Sequence, residues 1–515
     1  MNRKIQEINN PDKTLKLFLI FIWIGILIWR FSILVRYTVN YVDDDQALMW
    51  YGTSQFAHGD FNQPAFFGQK YGNMFESLLM VPLYYLGYPL NYAQPIVTTL
   101  LGLSAFVYAS VLCFRRKNYW GAVLAPVLLC CMSWRWDVLT SMRCFFTGLP
   151  ITTIGCLLIN DNRAKTVKVV IGSFFAVLGA IWTSSATAVL GIGFLYFFLH
   201  AEERRRSVLR VIPGVILGSF IWIYRTVFFL LHPDYIVYDV QSSVSLRILV
   251  DNLKLLPKRT AEYFCGGYLG VFVVPVLFVV VISGLIRSKR WKDAGIVLIA
   301  VIGSMLMLMS SQTGLYDEEA INYCQMRMFL FVGYLILLMI VLITMEYNCK
   351  SVKKKAWWVI AGVVVAASIL KIFFFEKVYN DPSSSLYQYQ TVYMESASGL
   401  YSLADELKEL ADETDADVFI CTSNRKGLAY VFSTLLYDEN IVFYGWDMDR
   451  RAWVYDALSV PGDYRILFYK CDDKDVLSAI CVDTEGESVI DYLKNKMGIE
   501  RKRVICLANG QISIE

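Results

Sequence analysis

The stretch Leu15 to Tyr37 (LKLFLIFIWIGILIWRFSILVRY), followed almost at once by Tyr41-Val-Asp-Asp-Asp-Gln-Ala-Leu48, decides how the chain is read. The first run is long enough to cross a ~30 Å hydrocarbon core as one helix. It is too long for a signal-peptide core and no A-x-A-like cleavage site follows it, so it reads as an uncleaved first membrane helix. Three consecutive carboxylates then stand where that helix should emerge into water. Acids beside a bilayer are costly to desolvate, and they mark a wet cavity with a task.

Composition agrees. Of 515 residues, 56% are apolar, 15% aromatic and only 18% charged, where soluble chains average about 25% charged. Apolar runs recur at 15–37, 93–114, 118–132, 145–160, 168–182, 186–200, 208–231, 266–286, 294–310, 328–345 and 356–375. The expected fold class is therefore a polytopic α-helical membrane protein of about eleven transmembrane helices. The net charge of +3 gives no reason to expect a nucleic-acid partner. Twelve cysteines are scattered without a CxxC pair or Cys/His cluster and read as small buried apolar residues. With only His58, His200 and His232, a histidine-built metal site is not expected.

Basic residues set the orientation. Arg115-Arg116-Lys117, Arg163 to Lys168, Arg204-Arg205-Arg206, Arg287 to Lys292 and Lys350 to Lys355 fall on one side, together with Arg3, Lys4, Lys13 and Lys16. The positive-inside rule makes that side, and the N-terminus, cytoplasmic. Connections 38–92, 133–144, 232–265 and 311–327, and everything after about 376, then lie outside. Within 232–265, Leu246, Leu249, Val250, Leu253 and Leu256 have the spacing of an amphipathic helix lying in the interface.

After Phe375 the composition changes. The reading divides the chain into a transmembrane part, 1–376, a linker, 377–397, and a soluble extracytoplasmic α/β domain, 398–515. In that domain Leu400 to Glu413 reads as an amphipathic helix. Apolar strands at 417–422, 441–444, 464–469 and 503–507 alternate with helical patterns at 428–437, 450–458, 474–482 and 487–497, which predicts a mostly parallel sheet. No GxGxxG or Walker-type loop precedes any of these helices, so the chemistry is expected in the membrane part.

Residues 43–58 read as a short helix on the outer face, with Asp43 and Gln46 spaced as a capping box. An aspartate near a helix N-terminus is stabilised in its ionised form. It can bind a metal or accept a proton from a hydroxyl as a transition state develops. Further on, Phe67-Gly-Gln-Lys-Tyr-Gly-Asn-Met-Phe-Glu76 ends in another acid. Arg135 and Arg143 in the 133–144 connection, and Arg327 where a late helix enters the membrane, offer planar forks that match phosphate oxygens. Acids on one wall and arginines on another suit a lipid phosphate whose tail stays in the bilayer.

At these residues the chain resembles the C-type glycosyltransferase superfamily, which uses polyprenyl-phosphate-linked sugars and includes protein O-mannosyltransferases and lipid A aminoarabinose transferases. Asp45-Gln46-Ala47-Leu48 falls on the acidic motif of that family's first outer loop. Gln stands where the family has Glu, which leaves Asp44 or Asp43 to substitute for the second acid. Gly59-Asp60 and Phe66 to Leu79 resemble the second half of the loop, with Glu76 on its glutamate. Met326-Arg327-Met328-Phe329 is similar to the Arg-Tyr-Leu-like element that opens a late helix, and Ser141 to Gly148 to an earlier Arg…Gly element.

The resemblance implies transfer of a sugar from a polyprenyl-phosphate donor to a hydroxyl of a glycan, lipid or protein acceptor. The reaction would be inverting and would take place outside a bacterial plasma membrane. It implies Asp45 as the base, with Asp44 and Glu76 orienting the acceptor or holding a divalent cation such as Mg or Mn. Arg327, Arg143 and Arg135, with Gln46, Gln69 and Tyr71 from the motifs, are placed at the substrates. Two other classes share the bundle and the arginines: a transporter or flippase of lipid-linked sugars, and a non-catalytic scaffold.

Overall fold

The computed structural model describes residues 11–142, 146–161, 165–201, 203–236, 246–264, 268–310, 329–345 and 354–414. In the C-terminal region it describes 418–422, 435, 442–445, 466–470, 504–508 and 511–514. Helices occupy every apolar run. They are α1 Pro11–Ile33, then α2 Asp44–His58 and α3 Phe75–Tyr85, then α4 Leu90–Arg115, α5 Tyr119–Cys131, α6 Trp134–Met142, α7 Gly148–Ile159, α8 Thr166–Trp182, α9 Ala186–His200 and α10 Arg204–Leu231. They continue with α11 Leu246–Tyr263, α12 Tyr268–Arg287, α13 Trp291–Ser310, α14 Leu330–Met345, α15 Lys354–Tyr379, α16 Ser385–Tyr393 and α17 Ala397–Thr414. By length and composition, Leu15–Thr38, Leu90–Arg115 and Arg205–Leu231 can each cross a membrane among the described residues.

The chain forms two compact units. The first comprises residues 1–38, 95–224 and 240–389. Here α1 ends in a π-turn, Leu34–Thr38, and Tyr37 meets Phe375 and Tyr379 of α15 edge-on at 6.0 and 5.9 Å. Helices α7 and α8 approach so closely that glycine is required on both. A Cβ on Gly155 would sit 2.5 Å from Gly172 O. Where the sequence reads a connection at 133–144, the structure has α6, with Trp136 to Met142 all buried. The reason is packing: Trp136 meets Tyr263 and Tyr334 at 5.9 and 5.4 Å, which draws this segment into the core.

The second unit comprises residues 39–94, 225–239 and 390–515. Strand β1, Tyr41–Val42, pairs antiparallel with β2, Glu395–Ser396, over three hundred residues away, with Tyr41 opposite Ser396. The ladder is extended by Ala397 N–H donating to Asn40 O at 2.9 Å. A five-stranded sheet runs in the order β4 (Val442–Gly445), β3 (Val418–Thr422), β5 (Ile466–Lys470), β6 (Val504–Ala508) and β7 (Gln511–Ile514). The first four are parallel, in register Val418–Val442, Val418–Ile466 and Ile466–Val504. β7 returns antiparallel to β6. The helices expected between these strands lie outside the described residues.

Candidate functional site

The acidic helix α2 is built from local signals. Asp43 is its N-cap, in extended backbone, and its carboxylate accepts from Gln46 N–H at 3.0 Å. Gln46 Oε1 accepts from Asp43 N–H at 3.2 Å. This reciprocal capping box satisfies two donors that a helix start otherwise leaves unpaired. The helix stops at Gly59, whose left-handed φ of 90° only glycine adopts without strain. Asp43 is thus committed to the cap, while Asp44 and Asp45 open the first turn, where the positive end of the helix dipole favours anions. Asp45 is half-buried; the side chain of Asp44 lies outside the described residues. Gln46 is 1% exposed, and with Oε1 in the cap, any contact it makes with a substrate falls to its Nε2.

Glu76 lies in the first turn of α3 and is 0% exposed. Helices α2 and α3 are joined by Ser77 Oγ, which donates to Met49 O at 2.8 Å. The loop between them winds around Phe66. Phe66 O accepts from Gln63 Nε2 at 2.6 Å and from Gln69 N–H at 3.0 Å, and Phe66 N–H donates to Tyr71 O at 3.3 Å. Gly68 and Gly72 make the bends at φ of 75° and 73°. Inside this loop Gln63 Oε1, Gln69 Oε1 and Asn73 Nδ2 are buried without a hydrogen-bond partner. A buried polar atom left unmet costs about 1–3 kcal/mol. Two carboxamide oxygens in the same unit as Asp45 and Glu76 supply hard oxygen donors of the kind that Mg and Mn accept. Among the described residues no three His, Cys, Asp or Glu side chains form a metal-sized group.

Of the predicted arginines, Arg143 and Arg327 lie outside the described residues. Arg135 stands in the first turn of α6, in the first unit, with its guanidinium 5.2 Å from the Trp134 ring centroid. Sequence reasoning missed a buried charge cluster beside it. Asp137 Oδ1 accepts from Arg30 at 2.9 Å, and Oδ2 accepts from Lys371 and from Trp29 Nε1, each at 3.1 Å. The side chains of Arg30, Asp137 and Lys371 are 2%, 1% and 7% exposed. The available signal was the charges themselves: each interrupts an apolar or aromatic stretch, and ionisable residues at that depth are functional candidates by default.

No family model and no curated protein matches the sequence. The structure, however, is similar to ArnT from Cupriavidus metallidurans. In the apo state the TM-score is 0.52 at 11% identity, covering 96% of this chain and 93% of ArnT. With ArnT bound to undecaprenyl phosphate, the TM-score is 0.51 at 12% identity, covering 85% and 87%. Similarity of that extent, at that identity, speaks to fold. The chain accordingly has the fold of ArnT.

Proposed function

We propose that the protein is a membrane glycosyltransferase that moves a sugar from a polyprenyl-phosphate donor to a hydroxyl acceptor. The reaction takes place on the extracytoplasmic face of a bacterial plasma membrane. The observation that carries this reading is the ArnT fold over 96% of the chain. That fold coincides with acids at the start of α2 and at Glu76, where the sequence motifs resemble the family's first outer loop. The proposed topology has about eleven membrane helices, a cytoplasmic N-terminus and the region after 376 outside.

Catalysis would proceed by one displacement. The acceptor oxygen forms a bond to the anomeric carbon as the bond from that carbon to the phosphate oxygen breaks, with inversion. Asp45 receives the acceptor proton, and the electron pair departs with the polyprenyl phosphate. Arg327, Arg143 and Arg135 neutralise the charge that grows on the leaving group, a contribution worth about 10²-fold or more per contact. Gln69 and Tyr71, with Gln46 Nε2, orient the sugar and the acceptor. Asp44 and Glu76 would hold a divalent cation, Mg or Mn, and Gln69 Oε1 fits such a set. When bound, the cation would supply charge that draws the substrate's oxygens into place.

The test is release of free polyprenyl phosphate from a panel of polyprenyl-phosphate sugars, using purified protein in lipid. The reading predicts release from at least one donor. Tight donor binding with no release from any of them would point instead to transport or scaffolding.

A further inference from the structure

Met132 and Ser133 separate the apolar α5 from α6, which carries Arg135, Asp137, Thr140 and Ser141. Met132 and Ser133 are buried, and the polar backbone at a buried break must be satisfied by protein. The first unit supplies them from distant segments. Ser133 N–H donates to Tyr263 O at 2.8 Å. Lys371 Nζ donates to Leu129 O, in the last turn of α5, at 2.8 Å. Arg30 donates to Thr140 O at 3.3 Å and to Thr140 Oγ1 at 2.7 Å, in the last turn of α6.

These same two cations meet on Asp137, and Lys371 also lies 4.1 Å from the centroid of the Trp29 ring. The side chains alone sum to one excess positive charge in a buried place. The balance comes from the backbone. A helix C-terminus carries about half a negative charge, and each cation caps one such end, Lys371 on α5 and Arg30 on α6. One carboxylate and two helix C-termini thus offset most of the charge of the two cations.

Helix α6 has nine residues, and helices shorter than about 12–15 residues are marginal on their own. Its position is therefore set by what grips it. Asp137 lies two residues from Arg135, so a rotation of α6 that releases Asp137 swings Arg135 with it. We propose that Arg30 and Lys371 are positioning residues: they lock α6 across the break from α5 and thereby hold Arg135 where it receives the phosphate of the lipid donor. This rests on the reading of Arg135 given above.

The experiment measures the Kd for polyprenyl phosphate and the thermal midpoint of the full-length protein in lipid. The variants are Lys371→Met, Arg30→Lys, Arg135→Gln and the double variant Lys371→Met/Arg135→Gln. Lys371→Met and Arg135→Gln should each weaken binding on the order of tenfold, the size of coupling seen within one network. The double variant should bind no more weakly than Arg135→Gln alone, since Lys371 acts through Arg135. Arg30→Lys keeps the charge but loses the fork between Asp137 and Thr140, and should weaken binding to an intermediate degree. Should Lys371→Met not fold, Lys371→Arg carries the same comparison. A lowered midpoint with unchanged Kd, losses that add in the double variant, or an Arg135→Gln variant that binds like wild type would each overturn the proposal. If the wild type does not bind polyprenyl phosphate at all, the functional reading itself falls, and the proposal with it.

Discussion

Substituting Gly155 by alanine should open the α7–α8 contact. An added Cβ would stand 2.5 Å from Gly172 O, 2.5 Å from Ala176 N and 2.8 Å from Ala176 Cα, where ordinary contact begins at 3.4 Å. All three are backbone atoms, so no side-chain rotation relieves the clash and the helices must part by about 1 Å. A gap of that size forfeits roughly a quarter to a half of the dispersion energy of the atoms involved. It also stretches the bond from Thr152 Oγ1 to Ala176 O, which is 3.1 Å long, past the hydrogen-bonding range. Overpacking costs about 1–3 kcal/mol and the lost bond about 1. The better helix propensity of alanine returns about 1 kcal/mol. The net loss is about 2 kcal/mol, on the order of a 30-fold shift toward the unfolded form. The comparator is Gly191→Ala on α9, where an added Cβ meets nothing within 4 Å, and which should gain about 1 kcal/mol from helix propensity alone. Denaturant or thermal unfolding of both variants in detergent decides it. A Gly155→Ala protein as stable as Gly191→Ala would refute the reasoning.

Three further outcomes are expected. Asp43→Ala removes the N-cap of α2 and should cost about 1 kcal/mol, while Asp43→Asn should cost little; equal unfolding midpoints for the two variants would contradict the capping account. Burial holds the Tyr401 hydroxyl above the usual tyrosine range, although N–H bonds from Leu90 and Asn91 pull it back in part. The unfolded chain therefore ionises first, near pH 10, and the folded form binds more protons beyond that point. Stability should fall as pH rises above about 10, and more shallowly in Tyr401→Phe; an identical slope in that variant would remove Tyr401 as the cause. Finally, chelation should abolish donor turnover, with Mg or Mn restoring it in wild type but not in Glu76→Gln. Turnover that survives chelation would eliminate the cation.

What the sequence reveals is what is local. The apolar runs place the helices because length and composition alone mark them. The capping box of α2 is legible because Asp43 and Gln46 stand three residues apart. The pairing of Tyr41 with Ser396 carries no such trace, and neither does the meeting of Arg30, Asp137 and Lys371, which lie on three distant segments. The register of β7 against β6 had a readable cue, since Asn509-Gly510 between them is a strong hairpin signal. Seven-residue spacing puts Gly148 with Gly155, and Gly172 with Gly179, on one face of their helices, but does not say that the two faces meet. The unpaired oxygens of Gln63 and Gln69 could not be foreseen, because only the fold of the loop around Phe66 strips them of partners.

The most direct measurement of the central claim compares wild type with Asp45→Asn in lipid, following release of polyprenyl phosphate from the donor that the wild type uses. With Asp45 as the base, release should fall by ~10²-fold or more while donor binding is kept. Release from Asp45→Asn at the wild-type rate would contradict the assignment of the base, and with it the mechanism built on the acidic start of α2.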